Sequence, residues 1–253
     1  MKPKRYEQIL RIVDAQRVVS IEELCDQLGV SKATIRRDLI YLDEKQQLKR
    51  THGGAVSLVR PATDDVPIAI RHRIHKEAKE QIALAALTLI HEGSTLFIGS
   101  GTTLQGLAAR LNSFSKLTIV TNDVGVAYEV AHRTANHLIV TGGKLRPATA
   151  TLCGSQTEAM LRDMHVHTAF LSADSALPGR GFMDVNIEEV AIKRAMIAGA
   201  QSSVMLMDCS KFRAGAFVSI CPLSDVDHTI TNADIDPEIE QALVADGMKL
   251  HKV

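Results

Sequence analysis

Short apolar segments that alternate with amphipathic helical patterns most constrain how this chain can fold. They recur from residue 95 almost to the C-terminus. Continuous apolar segments predict strands buried on both faces, and intervening helices predict parallel connections. The fold class expected here is α/β, with a parallel sheet covered by helices. The predicted strands are 95–99, 117–121, 137–141, 168–172, 203–207, 228–231 and 248–252, and the predicted helices are 103–111, 123–133, 155–163, 187–199 and 237–245.

The first 58 residues carry a different pattern, in which three predicted helices precede a hairpin. Ser20 and Glu23 have the spacing of a capping box, and Gly29 is suited to end the helix that they begin. Ser31 is expected to cap the next helix through its hydroxyl. A helix, a short turn and a second helix predict a helix-turn-helix. The three helices are predicted over 3–15, 21–28 and 32–45.

The third helix has an apolar face and a polar face. Ile35, Leu39 and Leu42 repeat at helical spacing, so they are expected to pack inward. Cations and hydroxyls lie largely off this stripe, and such groups contact base edges and phosphates in the DNA major groove. The alternative is an amphipathic helix pair on a solvated surface. The candidate DNA-binding residues of this helix are Ser31, Lys32, Thr34, Arg36, Arg37 and Tyr41.

A hairpin is predicted between Leu48 and Leu58, because paired glycines at its centre permit the positive φ angles of tight turns. A basic hairpin after a basic helix is typical of a winged helix-turn-helix, whose wing contacts the phosphate backbone. The candidate DNA-binding residues of the wing are Lys49, Arg50, His52 and Gly53.

The charge distribution supports two domains. The formal net charge is zero, but residues 1–60 carry a net charge of +4 and the remainder −4. A basic N-terminal region suits a nucleic-acid partner. A polar segment between Pro61 and Pro67 predicts a linker, followed by a long helix over 69–91. The domains expected are a winged helix-turn-helix over 1–58, a linker over 59–75 and an α/β domain over 76–253.

The N-terminal motifs resemble those of a known family. The segment Ser31-Lys-Ala-Thr-Ile-Arg-Arg-Asp-Leu39, followed by His52-Gly-Gly-Ala55, resembles the N-terminal domain of the DeoR family of bacterial sugar-metabolism regulators. The resemblance implies a transcriptional regulator, usually a repressor, that binds a double-stranded DNA operator. Two DNA-binding heads at matched half-sites would raise specificity, so a homo-oligomer, dimer or tetramer, is expected.

Loops after the predicted strands carry groups suited to a ligand, and in open α/β sheets ligands bind at this edge. Glycines and hydroxyls in Gly99-Ser-Gly-Thr-Thr103 can approach a phosphate, although a tight strand-to-helix turn would have the same composition. Asp174 also ends a strand. Glu189 is one turn from Lys193, which fits either a surface ion pair or a contact with a ligand hydroxyl. Further polar groups follow other strands in Thr121-Asn-Asp123, Thr141-Gly-Gly-Lys144 and Asp208-Cys-Ser-Lys-Phe212.

These motifs extend the resemblance to the DeoR effector domain, which is similar in fold to ribose-5-phosphate isomerase. The resemblance implies a small phosphorylated sugar as effector. It would place Gly101, Thr102 and Thr103 at the phosphate with Lys211 nearby, and Asp174, Asn122 and Lys144 at hydroxyls. Ser100 and Glu189 complete the candidate site. The chain departs from the family pattern at Gly99, where Asp is usual, and near Met183, where Thr is usual.

Composition excludes several other classes of protein. The four cysteines have no C-x-x-C spacing, so no metal site is expected, and no cofactor is implied. Because no apolar run approaches the length of a bilayer and no signal segment follows the first residues, a cytoplasmic protein without membrane contact is expected. The alternative function is a sugar-phosphate isomerase or deaminase with an attached DNA-binding head, in which Asp174 or Glu189 would serve as base.

Overall fold

The computed structural model describes residues 2–16, 18–45, 47–51, 53–57, 68–213 and 216–253. Contacts within the chain divide it into two compact units, Met1–Val66 and Pro67–Val253, called here the N-terminal unit and the C-terminal unit. Of the expected linker 59–75, residues 59–67 lie outside the described residues, and residues 68–75 belong to the C-terminal unit.

The N-terminal unit contains the three predicted helices and the predicted hairpin. A short strand that the sequence did not predict, β1, pairs antiparallel with the second hairpin strand. The elements are α1 (Lys2–Gln16), β1 (Val18–Ser20), α2 (Ile21–Leu28), α3 (Lys32–Glu44), β2 (Leu48–Thr51) and β3 (Gly54–Ser57).

Capping residues define the ends of α2. Ser20 Oγ accepts from the Glu23 N–H over 3.1 Å, and the Glu23 carboxylate accepts from the Ser20 N–H over 2.8 Å. Gly29 ends the helix with φ of 64°. The predicted capping box and glycine stop are therefore confirmed.

The sequence predicts that the paired glycines of the hairpin are needed for positive φ angles, and for Gly54 this is wrong. Its φ is not positive, and glycine is required because a Cβ would lie 1.9 Å from Val19 O.

The core of the N-terminal unit lies between the three helices and the small sheet. Ile35, Leu39 and Leu42 are fully or almost fully buried there, as the helical spacing predicts. Asp38 is also buried, and both its oxygens bind the Arg5 guanidinium, over 2.5 and 3.0 Å. This partly buried ion pair joins α1 to α3.

The C-terminal unit is built on a seven-stranded parallel sheet with helices on its faces, which confirms the predicted α/β class. Its helices are α4 (Ile68–Arg71), α5 (Lys76–Ala86), α6 (Thr102–Ala108), α7 (Val124–Arg133), α8 (Ser155–Arg162), α9 (Ile187–Ala198) and α10 (Pro237–Ala245). Its strands are β4 (Thr95–Ile98), β5 (Thr118–Thr121), β6 (His137–Val140), β7 (Lys144–Arg146), β8 (Thr151–Cys153), β9 (Val166–Leu171), β10 (Ser175–Leu177), β11 (Gly181–Asp184), β12 (Ala200–Leu206), β13 (Val218–Cys221), β14 (His228–Thr231) and β15 (Leu250–Lys252).

The strand order in the main sheet is β15-β14-β12-β9-β4-β5-β6, and every neighbouring pair is parallel. All carboxyl ends therefore meet at one edge, as the sequence predicts. Two small antiparallel sheets were not predicted: the hairpin β7–β8, and the sheet β10-β11-β13. Their strands have three or four residues, which is too short for a clear periodic pattern.

The long helix predicted over 69–91 is wrong as a single element. The structure divides it into α4, a turn, α5 and a 3-10 turn at Leu87–Leu89. The break comes at His75, which has a left-handed conformation with φ of 51°. Neither glycine nor proline marks this point in the sequence. Tertiary contacts of Arg71, described below, accompany the break.

Candidate functional sites

The exposed face of α3 carries the predicted DNA-binding cations. Lys32, Arg36 and Arg37 are exposed, and Thr34 is half-buried. Arg37 Nε donates to Ala33 O over 3.3 Å, so its side chain lies along the helix surface. Lys32 Nζ lies 2.5 Å from the Glu22 carboxylate, which ties the start of α3 to α2.

Two predictions for α3 need correction or qualification. Ser31 stands at the N-cap position, but its hydroxyl makes no hydrogen bond to a backbone N–H; it lies 3.0 Å from the Thr34 hydroxyl instead. Tyr41 is exposed, yet its ring stacks on Tyr6 with 4.9 Å between ring centres. Tyr41 therefore lies on the side of α3 that meets α1.

The wing residues cluster beside the end of α3. Lys49 and Arg50 are exposed, and the Asp43 carboxylate lies 3.5 Å from Lys49 Nζ and 3.3 Å from the Arg50 backbone nitrogen. Gly53 is exposed and its carbonyl accepts from the Ile21 N–H over 2.8 Å. His52, the remaining predicted wing residue, lies outside the described residues.

In the C-terminal unit, Asp174 follows β9 and binds two cations. Its Oδ1 lies 2.8 Å from Arg71 Nη2 and 3.4 Å from Lys211 Nζ. Burial acts against ionisation of this carboxyl, but Arg71, Lys211 and Lys193 outweigh it and hold its pKa well below the usual value. Asp174 and Lys211, 37 residues apart, are thus brought together as the sequence predicts.

Glu189 forms a second centre at the same edge. Its Oε2 accepts from Ser100 Oγ over 2.6 Å, and its Oε1 accepts from Arg146 Nη1 over 2.6 Å and from Thr151 Oγ1 over 3.0 Å. The side chain is buried, with 6% exposed. Burial raises the pKa of Glu189, but Lys193, Ser100 and Arg146 together reverse this and lower it.

Lys193 lies between Glu189 and a further carboxylate, Asp184. Its Nζ contacts Asp184 directly and lies 3.8 Å from Glu189. The pair of Glu189 and Lys193 is therefore buried, and a solvated surface pair is excluded. Burial raises the pKa of Asp184 to about 6, because Lys193 compensates for it only in part. Among the described residues, the ion pairs of this cluster include the basic side chains Arg71, Arg146, Lys193 and Lys211 and the carboxylates Asp174, Asp184 and Glu189.

The glycine-containing turn after β4 leads into α6. Gly101 has φ of 133°, and its N–H donates to Asp123 Oδ2 over 3.1 Å. Thr102 and Thr103 are buried, and Thr102 Oγ1 lies 3.5 Å from Arg71 O. The Asp123 carboxylate thus already holds one N–H of the predicted phosphate turn, and burial raises the pKa of Asp123.

Asn122 and Lys144 have different environments. Asn122 is 2% exposed at the carboxyl end of β5. Its Oδ1 has no hydrogen-bond partner among the described residues, while its amide nitrogen donates to Leu152 O. A buried acceptor of this kind is suited to a ligand hydroxyl. Lys144 is exposed on β7, and Arg146, two residues later, makes the contact with Glu189 instead.

Sequence reasoning missed three basic residues near this edge: Arg71, Arg146 and Lys79. Arg146 had a usable signal, since it lies two residues after Lys144 in the same loop. Arg71 had none, because it stood among other charged residues of an expected helix. Lys79 Nζ donates to Arg71 O over 2.5 Å, and burial lowers the pKa of Lys79 to about 8.

Two kinds of feature are absent from the described residues. None of their helices is long and apolar enough to cross a membrane. Nowhere in the described part of the chain do three or more His, Cys, Asp or Glu side chains form a group that could hold a metal ion.

Comparisons with known proteins cover both units. The sequence profile of the DeoR-like helix-turn-helix domain matches residues 5–60, and that of the DeoR C-terminal sensor domain matches residues 74–233. The glycerol-3-phosphate regulon repressor of Escherichia coli is 32% identical over 98% of this chain and 97% of its own. The lactose phosphotransferase system repressor of Staphylococcus epidermidis is 32% identical over 93% and 94%.

Among solved structures, ribose-5-phosphate isomerase A from Methanocaldococcus jannaschii aligns with 55% of this chain and 55% of its own. The TM-score is 0.41 and the sequence identity 15%.

Proposed function

The chain belongs to the DeoR family of transcriptional regulators, and from this premise we propose that it represses a carbohydrate-utilisation operon and responds to a phosphorylated sugar. The N-terminal unit binds double-stranded DNA through α3 and the wing. The C-terminal unit binds the effector at the carboxyl edge of its sheet. Two relatives support an effector of this class. They are named as repressors of a glycerol-3-phosphate regulon and of a lactose phosphotransferase system.

Basic side chains and an unsatisfied buried acceptor at the sheet edge carry the effector proposal. Among the described residues, Asn122 Oδ1 is a buried acceptor without a hydrogen-bond partner, and Arg71 and Lys211 meet at Asp174 on the same edge. A phosphate group supplies negative charge and several acceptor oxygens, which charge-assisted hydrogen bonds from arginine and lysine favour. The proposed phosphate contacts are Gly101, Thr102, Thr103 and Lys211, and the proposed hydroxyl contacts are Asn122, Asp174, Glu189, Ser100 and Lys144.

A thermal-shift screen tests the effector. Ribose 5-phosphate, fructose 6-phosphate, glucose 6-phosphate and glycerol 3-phosphate are each compared with their unphosphorylated parents. A compound at 100 times its dissociation constant stabilises the folded protein by about 2.7 kcal/mol. We expect a phosphorylated compound to raise the melting temperature and its parent to have no effect. Lys211→Ala should abolish the shift, whereas Lys116→Ala, an exposed lysine before the amino end of β5 and so at the opposite edge of the sheet, should retain it.

DNA binding is tested with fragments from the chromosomal neighbourhood of the gene, at low salt and without added metabolite. We expect a specific fragment to bind and the effective phosphorylated compound to release it. Failure to bind any such fragment would contradict the regulatory function itself.

We also propose a homo-oligomer, dimer or tetramer, because two heads at matched half-sites multiply specificity.

The alternative, a sugar-phosphate isomerase or deaminase, is tested by incubating the pure protein with the same phosphates. Asp174 and Glu189 are both held in ion pairs, and the pKa of each is lowered, so neither is tuned to accept a proton near neutral pH. We expect no turnover. Conversion of any of these phosphates at a rate typical of metabolic enzymes would favour the alternative.

A further inference from the structure

The first described residues of the C-terminal unit form a short segment that we call the strap, residues 68–75. It consists of α4 and the turn that ends at His75. Along the chain, residues 58–67 connect it to the winged helix-turn-helix. The strap is therefore the part of the C-terminal unit that lies closest in sequence to the DNA-binding residues.

Three backbone contacts hold the strap against the rim of the effector site. The Ile68 N–H donates to Ala148 O over 3.0 Å, in the loop of the β7–β8 hairpin. Arg71 O accepts from Lys79 Nζ over 2.5 Å and lies 3.5 Å from Thr102 Oγ1, at the start of α6. The strap thus contacts the hairpin, α5 and the turn after β4.

The side chain of Arg71 extends from the strap into the site. Its Nη2 lies 2.8 Å from Asp174 Oδ1, and the same oxygen lies 3.4 Å from Lys211 Nζ. Arg71 is 22% exposed and Asp174 10%, so both side chains are largely buried but keep some contact with solvent. A guanidinium has five N–H donors, and one contact with Asp174 leaves others able to meet a second anion.

We propose that Arg71 is an effector-binding residue that exchanges Asp174 for the phosphate group of the bound sugar phosphate. This inference rests on the proposed function, because it requires the effector to bind at this edge. A phosphate dianion carries more charge than one carboxylate and accepts bidentate hydrogen bonds from arginine. The exchange draws the strap, the described part of the C-terminal unit that lies closest in sequence to the DNA-binding residues, toward the ligand.

Arg71 differs from the other cations of the cluster in its position along the chain. The others lie on β7, on α9 and after β12, which are internal elements of the C-terminal unit: Arg146, Lys193 and Lys211. A ligand changes a conformational equilibrium only through contacts that differ between the two states. Arg71 is the cation of this cluster whose change of partner acts directly on the strap.

The experiment uses the full chain, with inorganic phosphate and the four phosphorylated compounds of the screen as probes. Affinity is measured by calorimetry, and hydrogen exchange is followed in peptides covering residues 68–75, where the His72 N–H donates to Ile68 O. The variant is Arg71→Ala, and the matched control is Arg73→Ala, an exposed arginine of the same strap. Both variants remove one positive charge.

We expect the sugar phosphate that stabilises the wild type to slow exchange in the strap, and Arg73→Ala to behave like the wild type. Arg71→Ala should bind that compound about tenfold or more weakly and show no slowing, as expected for loss of a charge-assisted hydrogen bond. Arg71→Lys keeps the positive charge beside Asp174 and should fold even if Arg71→Ala does not. It should bind more weakly than the wild type, because lysine lacks the bidentate geometry.

Two outcomes separate this inference from the function on which it rests. If no probe binds the wild type, the sugar-phosphate function fails, and the inference with it. If a sugar phosphate binds wild type, Arg71→Lys and Arg71→Ala equally, and exchange in the strap is unchanged, the effector function stands and the role of Arg71 is wrong.

Discussion

Arg146 Nη1 lies 2.6 Å from Glu189 Oε1, and this contact joins the β7–β8 hairpin to α9. Both side chains are largely buried, with 11% and 8% exposed. The hairpin therefore forms part of the proposed effector site, although neither of its strands was expected from the sequence.

Substitution of Arg146 tests how much this contact stabilises the folded protein. Arg146→Ala leaves a buried carboxylate without its closest cation, so we expect the free energy of unfolding to fall by about 3 kcal/mol. Lys144→Ala, on the same strand but exposed, should change it by less than about 0.5 kcal/mol. Urea unfolding followed by circular dichroism measures both. Equal effects of the two substitutions would contradict the structural importance of the pair.

Substitution of Gly101 should destabilise the protein because of the backbone conformation at this position, and not because an added side chain would clash with its neighbours. Its φ of 133° is rarely adopted by residues with a side chain, while an added Cβ would lie at an ordinary 3.7 Å from Ser172 Cβ. We expect Gly101→Ala to cost about 1–3 kcal/mol. Gly142→Ala is the control, since its φ is not positive and a Cβ there would meet open space. Thermal unfolding should leave that control close to the wild type.

Lys79 should make the free energy of unfolding depend on pH in the alkaline range. Burial lowers its pKa from 10.5 to about 8, so between these values the unfolded chain holds more protons at this site. The contribution of Lys79 to the free energy of unfolding therefore rises as pH increases through this window. Relative to Lys79→Met, the wild type should gain up to about 3 kcal/mol.

The measurement is urea unfolding from about pH 7.5 to about pH 10.5, always as the difference between wild type and variant. Wild type and variant contain the same cysteines, so the difference between them cancels the effect of the cysteines on stability. The raised pKa values of Cys153 and Cys221 lower the free energy of unfolding as pH increases over part of the same range. Lys76→Met, an exposed lysine of the same helix, should show a constant difference. A constant difference for Lys79→Met as well would show that its pKa is not lowered.

Arg36 and Arg37 should be needed for DNA binding and not for folding. Both are exposed on α3, so alanine at either position should leave the melting temperature unchanged. Loss of a base contact costs about 1–3 kcal/mol, and we expect each variant to bind the operator about tenfold or more weakly. Fluorescence anisotropy with a labelled operator measures this. Arg162→Ala makes the same charge change in the C-terminal unit and should bind like the wild type.

The amino-acid sequence by itself determined the elements whose pattern is local. The capping box at Ser20, the stop at Gly29 and the apolar stripe of α3 depend on neighbours within a few residues, and the structure confirms them. The parallel sheet was also predictable, because strands buried on both faces must be continuously apolar. Since all its carboxyl ends share one edge, the convergence of the candidate ligand-binding loops at that edge was predictable as well.

Only the tertiary structure decided which charged side chains pair at that edge. Arg71 and Asp174 are separated by 103 residues, and Ser100 and Glu189 by 89, so no local spacing indicates either contact. The break in the expected long helix at His75 likewise has no marker in the sequence, and it is accompanied by the contacts of Arg71. Local patterns specify helices and strands, whereas ion pairs between distant residues form only once packing has brought the loops together and removed water from them.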